Sequence, residues 1–320
     1  MPPAPLVCLL VVAWESHTGA KPIFVVKAVN AIRTLIVQNL VISRESPHDS
    51  APVTLTARTP AAAKGVYTMK PSLRPDGPPA RIPSGLPPPG NFQVNASILD
   101  ILGSGRCGSV LEVDISSITD ADGPNLGLIC PPELCLPKLV LKVADAARLE
   151  DLGNEASMYD EMEALQGVAI PRCYGWFEGT VQPSQRLITD DPEAPVPAHR
   201  SRRVSALLLE KMGGMLPVGE RLPDRHVRLN HFPADGHSYQ LGIEQQDMRY
   251  ANILYAPNNP RFPGKICPYH GRVHPYRAID FDRARKTDWT LKQHYYEHVG
   301  TLGRLLETME MNMILEPWEY

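Results

Sequence analysis

The 320-residue chain has few aromatic residues, 7% of the total, and no apolar run as long as the roughly 18 residues of a membrane span. Leu6–Trp14, LVCLLVVAW, could pass for the core of a signal peptide, but no basic residue precedes it and SHTGA is a poor cleavage site. It reads instead as a buried strand. An excess of either charge is also lacking: 32 basic residues stand against 35 acidic ones, a net −3, and nothing in that total suggests a nucleic-acid binder. The six cysteines, Cys8, Cys107, Cys130, Cys135, Cys173 and Cys267, form no Cys-x-x-Cys pair. A reduced, intracellular protein without membrane attachment is the simplest expectation. Cys130 and Cys135 lack two further soft ligands at zinc spacing and read as ordinary thiols. Cys267, His270 and His274 have no fourth ligand nearby and read as surface residues.

Proline, in contrast, is abundant, with 33 residues that cluster. The clusters divide the chain. Residues 1–45 read as a strand and helix extension, with a helix over NAIRTLIVQNLVI because Ile32, Leu35, Ile36 and Leu40 stand near helical spacing. Residues 46–91 are rich in Pro and Gly and read as an extended or disordered linker. Order resumes near Phe92. Residues 93–212 read as a β-rich unit, and residues 213–320 as a smaller, poorly patterned one.

The chemistry centres on GIEQQDMRYAN, where Asp247 precedes Asn252 by five residues, and on AIDFDRA, which supplies Asp280 roughly thirty residues later. Two acids and an amide suit a divalent cation and a phosphate, since Mg²⁺ takes oxygen ligands from one or two carboxylates plus phosphate. Asp280 and Asn252 can supply those oxygens, leaving Asp247 to orient a hydroxyl. Upstream, Gly103, Gly105, Gly108 and Val110 form a Gly-x-Gly-x-x-Gly-x-Val pattern. Glycine lets backbone N–H groups approach phosphates. The strand-like SVLEVDI that follows fits a hairpin better than a helix-opening dinucleotide loop. Lys142 sits in KLVLKVAD, facing opposite to Leu141 and Val143. It is either a solvent-facing lysine or a phosphate ligand in a cleft. The helix GNEASMYDEMEALQG, capped by Asn154, offers Glu155 or Glu161 as its partner. VSALLLEKMGG reads as a buried strand ending in Glu210 and Met212, a hinge where backbone could meet an adenine edge.

In that order, GSGRCGSV, LVLKVAD, the Glu155 helix, LLLEKMGG, QQDMRYANIL and AIDFDRA resemble the protein-kinase-like superfamily, closest to divergent protein kinase domains of fungal type. The resemblance implies an α+β, two-lobed fold over roughly residues 93–310, with a β-rich N-lobe and a reduced helical C-lobe. It implies ATP and Mg²⁺ as cofactors and a protein substrate as acceptor. The backbone of Gly103–Gly108, with Val110, would cover ATP. Lys142 would pair with the phosphates, held by Glu155, with Glu210 and Met212 at the hinge. Asp247 would act as base, Arg249 would neutralise charge on the transferred group, and Asn252 and Asp280 would hold metal. Gln245-Gln246 replaces the usual His-Arg, and Asp282 stands where glycine is usual. An ATP-dependent phosphotransferase acting on Ser or Thr hydroxyls is the expectation. The alternatives are a pseudokinase that binds nucleotide or acts as a scaffold, and a small-molecule kinase.

Overall fold

The computed structural model describes residues 29–46, 48–68, 70–120, 136–144, 147–190, 202–219, 240–268 and 270–314, with backbone only at 295 and 297–302. The expected strand over Leu6–Trp14, the Cys130–Cys135 loop and most of residues 215–241 lie outside the described residues.

Seven long strands form a closed barrel. In chain order these are β1 (Ile32–Ser43), β2 (Ser50–Arg58), then, beyond the short β3 (Gly65–Val66), β4 (Phe92–Gly105), β5 (Gly108–Asp120) and β6 (Leu139–Ala144). β7 (Cys173–Val181) and β9 (Arg202–Glu210) complete the ring, and β8 (Gln185–Leu187) adds to the end of β1. Around the barrel the order is β1-β2-β7-β9-β6-β5-β4, closing with β4 against β1. Every pairing in the ring is antiparallel except that closing β1–β4 seam.

Alternation explains the interior. On β4 the buried positions are Val94, Ala96 and Ile98, and on β5 they include Leu111 and Val113. Successive side chains point to opposite faces, so one set fills the barrel and the other faces out. Leu35, Leu55, Leu141, Phe177 and Leu208 meet the same core. A barrel of this strand number is just wide enough for side chains to fill.

One helix packs outside. α1 (Leu149–Glu161) lays Leu152, Ala156, Met158 and Tyr159 against a second core that includes Val140, Ala144 and Leu207 from the outer faces of β6 and β9. The rest is small. β10 (Ile243–Glu244) pairs with β13 (Arg285–Thr287), which pairs with β3. β11 (Ile253–Tyr255) pairs with β12 (Tyr276–Ala278). α2 (Leu291–Glu310) closes the described chain, capped by Thr290, whose hydroxyl accepts from the Gln293 N–H. No helix among the described residues is long and apolar enough to cross a membrane.

This architecture overturns the α+β, two-lobed expectation. Among the described residues there are two α-helices, and the dominant unit is a closed β-barrel rather than a β-lobe beside a helical lobe. The ring is completed by residues placed outside that unit by sequence. The helix expected over Asn30–Ile42 is strand β1, and Ser50–Arg58, inside the proline-rich stretch, is strand β2. The β1 misreading has a physical cause. Asn39 adopts φ 62, and the register with β2 shifts between Val37 and Val41. Such an irregularity breaks the two-residue period. Burial passes from Leu35 and Val37 to Leu40 and Val41, which imitates a helical stripe.

The remaining proline-rich segment is extended but anchored. Arg81 pairs with Asp160 at 2.7 Å, the Gly85 N–H donates to Glu163 at 2.9 Å, and the Asn30 amide donates to the Pro87 carbonyl at 2.6 Å. Farther back, Thr68 donates its N–H and its hydroxyl to Asp288, both at 2.8 Å.

Candidate functional site

Strand β6 is buried on both faces. Leu139, Leu141 and Val143 enter the barrel, which turns Val140, Lys142 and Ala144 outward, under α1. Lys142 is therefore not solvent-facing: its side chain is 9% exposed. Nζ donates to Glu155 Oε2 at 2.6 Å and to Asp280 Oδ1 at 2.6 Å. Burial pulls the lysine pKa down, but the Glu155 and Asp280 carboxylates outweigh it, and the ammonium is held above its ordinary range. Glu161, the other candidate partner, is occupied by Lys286.

Asp280 lies just beyond β12 and adopts φ 65, a left-handed conformation uncommon outside glycine. Its neighbours hold it there. The Gln245 amide donates to the carbonyls of Ile279 (2.9 Å) and Asp280 (3.1 Å). Phe281 stands edge-on to Tyr159 with ring centroids 5.5 Å apart. Asn154 lies in mid-helix rather than at a cap, and donates to the carbonyls of Asp282 (2.8 Å) and Ala284 (3.0 Å). Strained backbone that its surroundings over-determine is a recurrent property of functional sites.

The β11–β12 ribbon brings in the other acid and the amide. Ile253 faces Ala278, and the Ile279 N–H donates to the Asn252 carbonyl at 3.0 Å, so Asn252 lies beside Asp280. The Asn252 amide nitrogen donates to the Asp247 carbonyl at 2.8 Å. Arg249 Nε lies 3.6 Å from Asp247 Oδ2. Asp247 and Asn252 are both buried.

The glycine pattern spans the tip of the β4–β5 hairpin. Gly103 and Gly105 belong to β4, and a Cβ added at either would meet open space. Gly108 differs: it has φ +140, and an added Cβ would fall 2.0 Å from the Val143 carbonyl oxygen. Only glycine permits this tip to lie directly on β6. Val110 is the cross-strand partner of Lys142. At the tip, Arg106 pairs with Asp282 and, at 3.2 Å, with Asp151 at the start of α1. The hairpin is thereby latched to α1 and to Asp282, two residues past Asp280.

Glu210 and Met212 lie apart from this cluster. The Glu210 carboxylate takes Arg172 Nη1 at 2.6 Å and the Arg172 N–H at 3.1 Å, so it serves as a cross-link. Met212 is half-buried, on the segment where the Gly213 N–H donates to Tyr255 at 2.8 Å. A cavity of about 600 Å³ opens elsewhere, lined by Arg81, Leu86, Gln166, Cys173 and Trp176 but by none of Lys142, Asp247, Asn252 and Asp280.

The chain matches no protein-family model. No curated protein resembles it in sequence either. The kinase-like resemblance therefore rests on short motifs alone, and the closed barrel overturns it.

Sequence reasoning missed Arg106, the true role of Asn154, and the use of Asp282 as an ion-pair partner. A charged residue inside a glycine-rich tip was the available signal for Arg106. The latch also has a measurable consequence for its neighbour. Cys107 is 3% exposed, and burial, only partly opposed by Lys142, pushes its thiol up to about 12. The thiolate is the reactive form. Arg106→Ala should free the tip and raise the alkylation rate of Cys107 by roughly tenfold or more at pH 8, read by peptide mass mapping. An unchanged rate would mean that the tip is held by packing alone.

Proposed function

We propose that the Lys142 cluster binds ATP with a divalent cation and transfers the terminal phosphoryl group to a hydroxyl acceptor. The observation that carries this reading is Lys142 Nζ held at 2.6 Å by both Glu155 and Asp280 beneath a glycine hairpin. Phosphoryl transfer rests mainly on positioning and on neutralising developing charge. The donor set fits a hard cation: Asp280 would offer a carboxylate and Asn252 an amide oxygen, both the oxygen ligands that Mg²⁺ takes beside phosphate. Bound there, Mg²⁺ would neutralise charge on the phosphates. Lys142 leaves Asp280 for a phosphate oxygen, while Glu155 keeps the ammonium in place. Backbone N–H groups of the Gly103–Gly108 tip cover the phosphates. Asp247 accepts the proton of the attacking hydroxyl as the new O–P bond forms and the bond to ADP breaks. Arg249 balances charge on the group in flight.

A second reading, nucleotide binding without transfer, is supported by the closed arrangement itself. Lys142 occupies Asp280, and the Arg106–Asp282 pair holds the hairpin down. The two readings separate in one experiment. ATP with Mg²⁺ is expected to raise the melting temperature of the full chain, and Lys142→Met to remove the shift. Asp247→Ala should keep the shift and lower radiolabelled phosphate transfer to a hydroxyl acceptor panel by about 10²-fold or more. Binding without transfer in the unaltered chain selects the second reading. No melting shift with any nucleotide would defeat both.

A further inference from the structure

The loop over residues 256–275 joins β11, which follows Asn252, to β12, which precedes Asp280. It carries Cys267, His270 and His274, which are not the surface trio that spacing alone suggested. Cys267 and His274 are fully buried, and His270 is exposed. We propose that these three side chains hold a zinc-class divalent ion that staples this loop.

The geometry is that of a coordination shell. One ligand atom from each residue lies within 4.8 Å of the other two. Cys267 Sγ is 3.7 Å from His270 Nδ1, and His270 Nδ1 is 3.2 Å from His274 Nε2. Tetrahedral zinc with its usual Zn–S and Zn–N lengths requires S···N and N···N separations of roughly 3.6 and 3.3 Å. Both observed separations fall within about 0.2 Å of those values, and the third pair lies within 4.8 Å. The two imidazoles stand at 84° to each other, so their nitrogens converge without the rings stacking.

The backbone is shaped for the same end. The His270 N–H points at Cys267 Sγ at 3.3 Å, a donor that stabilises a metal-bound thiolate. Gly271, at φ +65, turns the chain so that the Cys267 N–H reaches the Arg272 carbonyl at 2.8 Å. The cluster is tied to the body of the protein. Arg277, 1% exposed, donates to the carbonyls of His274 (2.7 Å) and Gly167 (2.9 Å). A borderline-soft ion suits one thiolate and two imidazoles, whereas Mg²⁺ and Ca²⁺ want oxygen. His270 marks the exposed side, where water takes the fourth position. The ion would close the loop between the two strands that flank Asn252 and Asp280.

The test uses the full chain, dialysed against zinc and then freed of excess. Elemental analysis should find about one zinc per chain, and His270→Ala, which removes an exposed side chain and spares the packing, should retain less than about 0.2. Replacement by Co²⁺ should give a thiolate-to-metal charge-transfer band that Cys267→Ser abolishes. A chelator should lower the melting temperature of the unaltered chain but not of His270→Ala, and His48→Ala should behave as the unaltered chain does. Folded protein that takes up no stoichiometric zinc would overturn the proposal, as would a His270→Ala variant with full zinc content. The hydrogen-bonded trio would then be a metal-free loop lock.

Discussion

Lys142→Met is expected to cost about 3–5 kcal/mol of folding stability, the usual penalty for removing one partner of a buried ion pair. Glu155 is 1% exposed, and Lys142 is the cation that neutralises it. Burial alone drives the Glu155 carboxyl pKa upward, and Lys142 opposes that rise. Without the lysine, Glu155 in the folded variant binds its proton more tightly than in the unfolded chain. A folded-state pKa raised in this way adds stability below the unfolded value of about 4.3 and loses it as pH climbs through the folded value. The deficit should therefore be smaller at pH 5 than at pH 8. Adding Glu155→Gln to Lys142→Met should recover part of the loss at pH 8 and remove most of the pH dependence. Urea unfolding at the two pH values measures all of this. A cost below about 1 kcal/mol, flat in pH, would mean that water reaches the pair.

Gly108→Ala should be nearly as damaging, while Gly103→Ala and Gly105→Ala should be close to neutral. A methyl at Gly108 would sit 2.0 Å from the Val143 carbonyl oxygen on a backbone at φ +140. An unfavourable φ costs on the order of 1–3 kcal/mol, and overpacking adds about 1–3 kcal/mol more. The hairpin can escape only by lifting off β6, which would carry Arg106 away from Asp282. Loss of stability together with faster Cys107 alkylation is the expected signature in Gly108→Ala. Equal effects at all three glycines would refute this reading of the tip.

Legibility in the sequence followed the physics of each element. Lys142 stood out because a lysine amid Leu141 and Val143 must either be solvated or find a charged partner, and Glu155 lies within the buried stripe of the next helix. The choice between Glu155 and Glu161 was not readable, because Lys286, which takes Glu161, lies over a hundred residues downstream. The barrel was hidden for two reasons. The irregularity at Asn39 scrambled the alternation of β1, and proline-rich neighbours obscured Val53 and Leu55, the alternating buried pair of β2. Burial of Cys267 and His274 depends on Arg277 and the Gly167 carbonyl, which no local pattern announces.

The ring also dictates an order of assembly. Its hairpin-like contacts, β4 with β5 and β5 with β6, are close in the chain, whereas Thr56 of β2 must wait for Glu178 of β7. Loop-closure entropy opposes such distant pairing until other contacts support it, so closure is the slow event in folding. A nascent chain emerging from the ribosome can pair β1 with β2 and then with β4, but it carries the outer edge of β2 unsatisfied until more than a hundred further residues are made. Unpaired edges recruit other strands, so demand for a chaperone should be greatest in that interval.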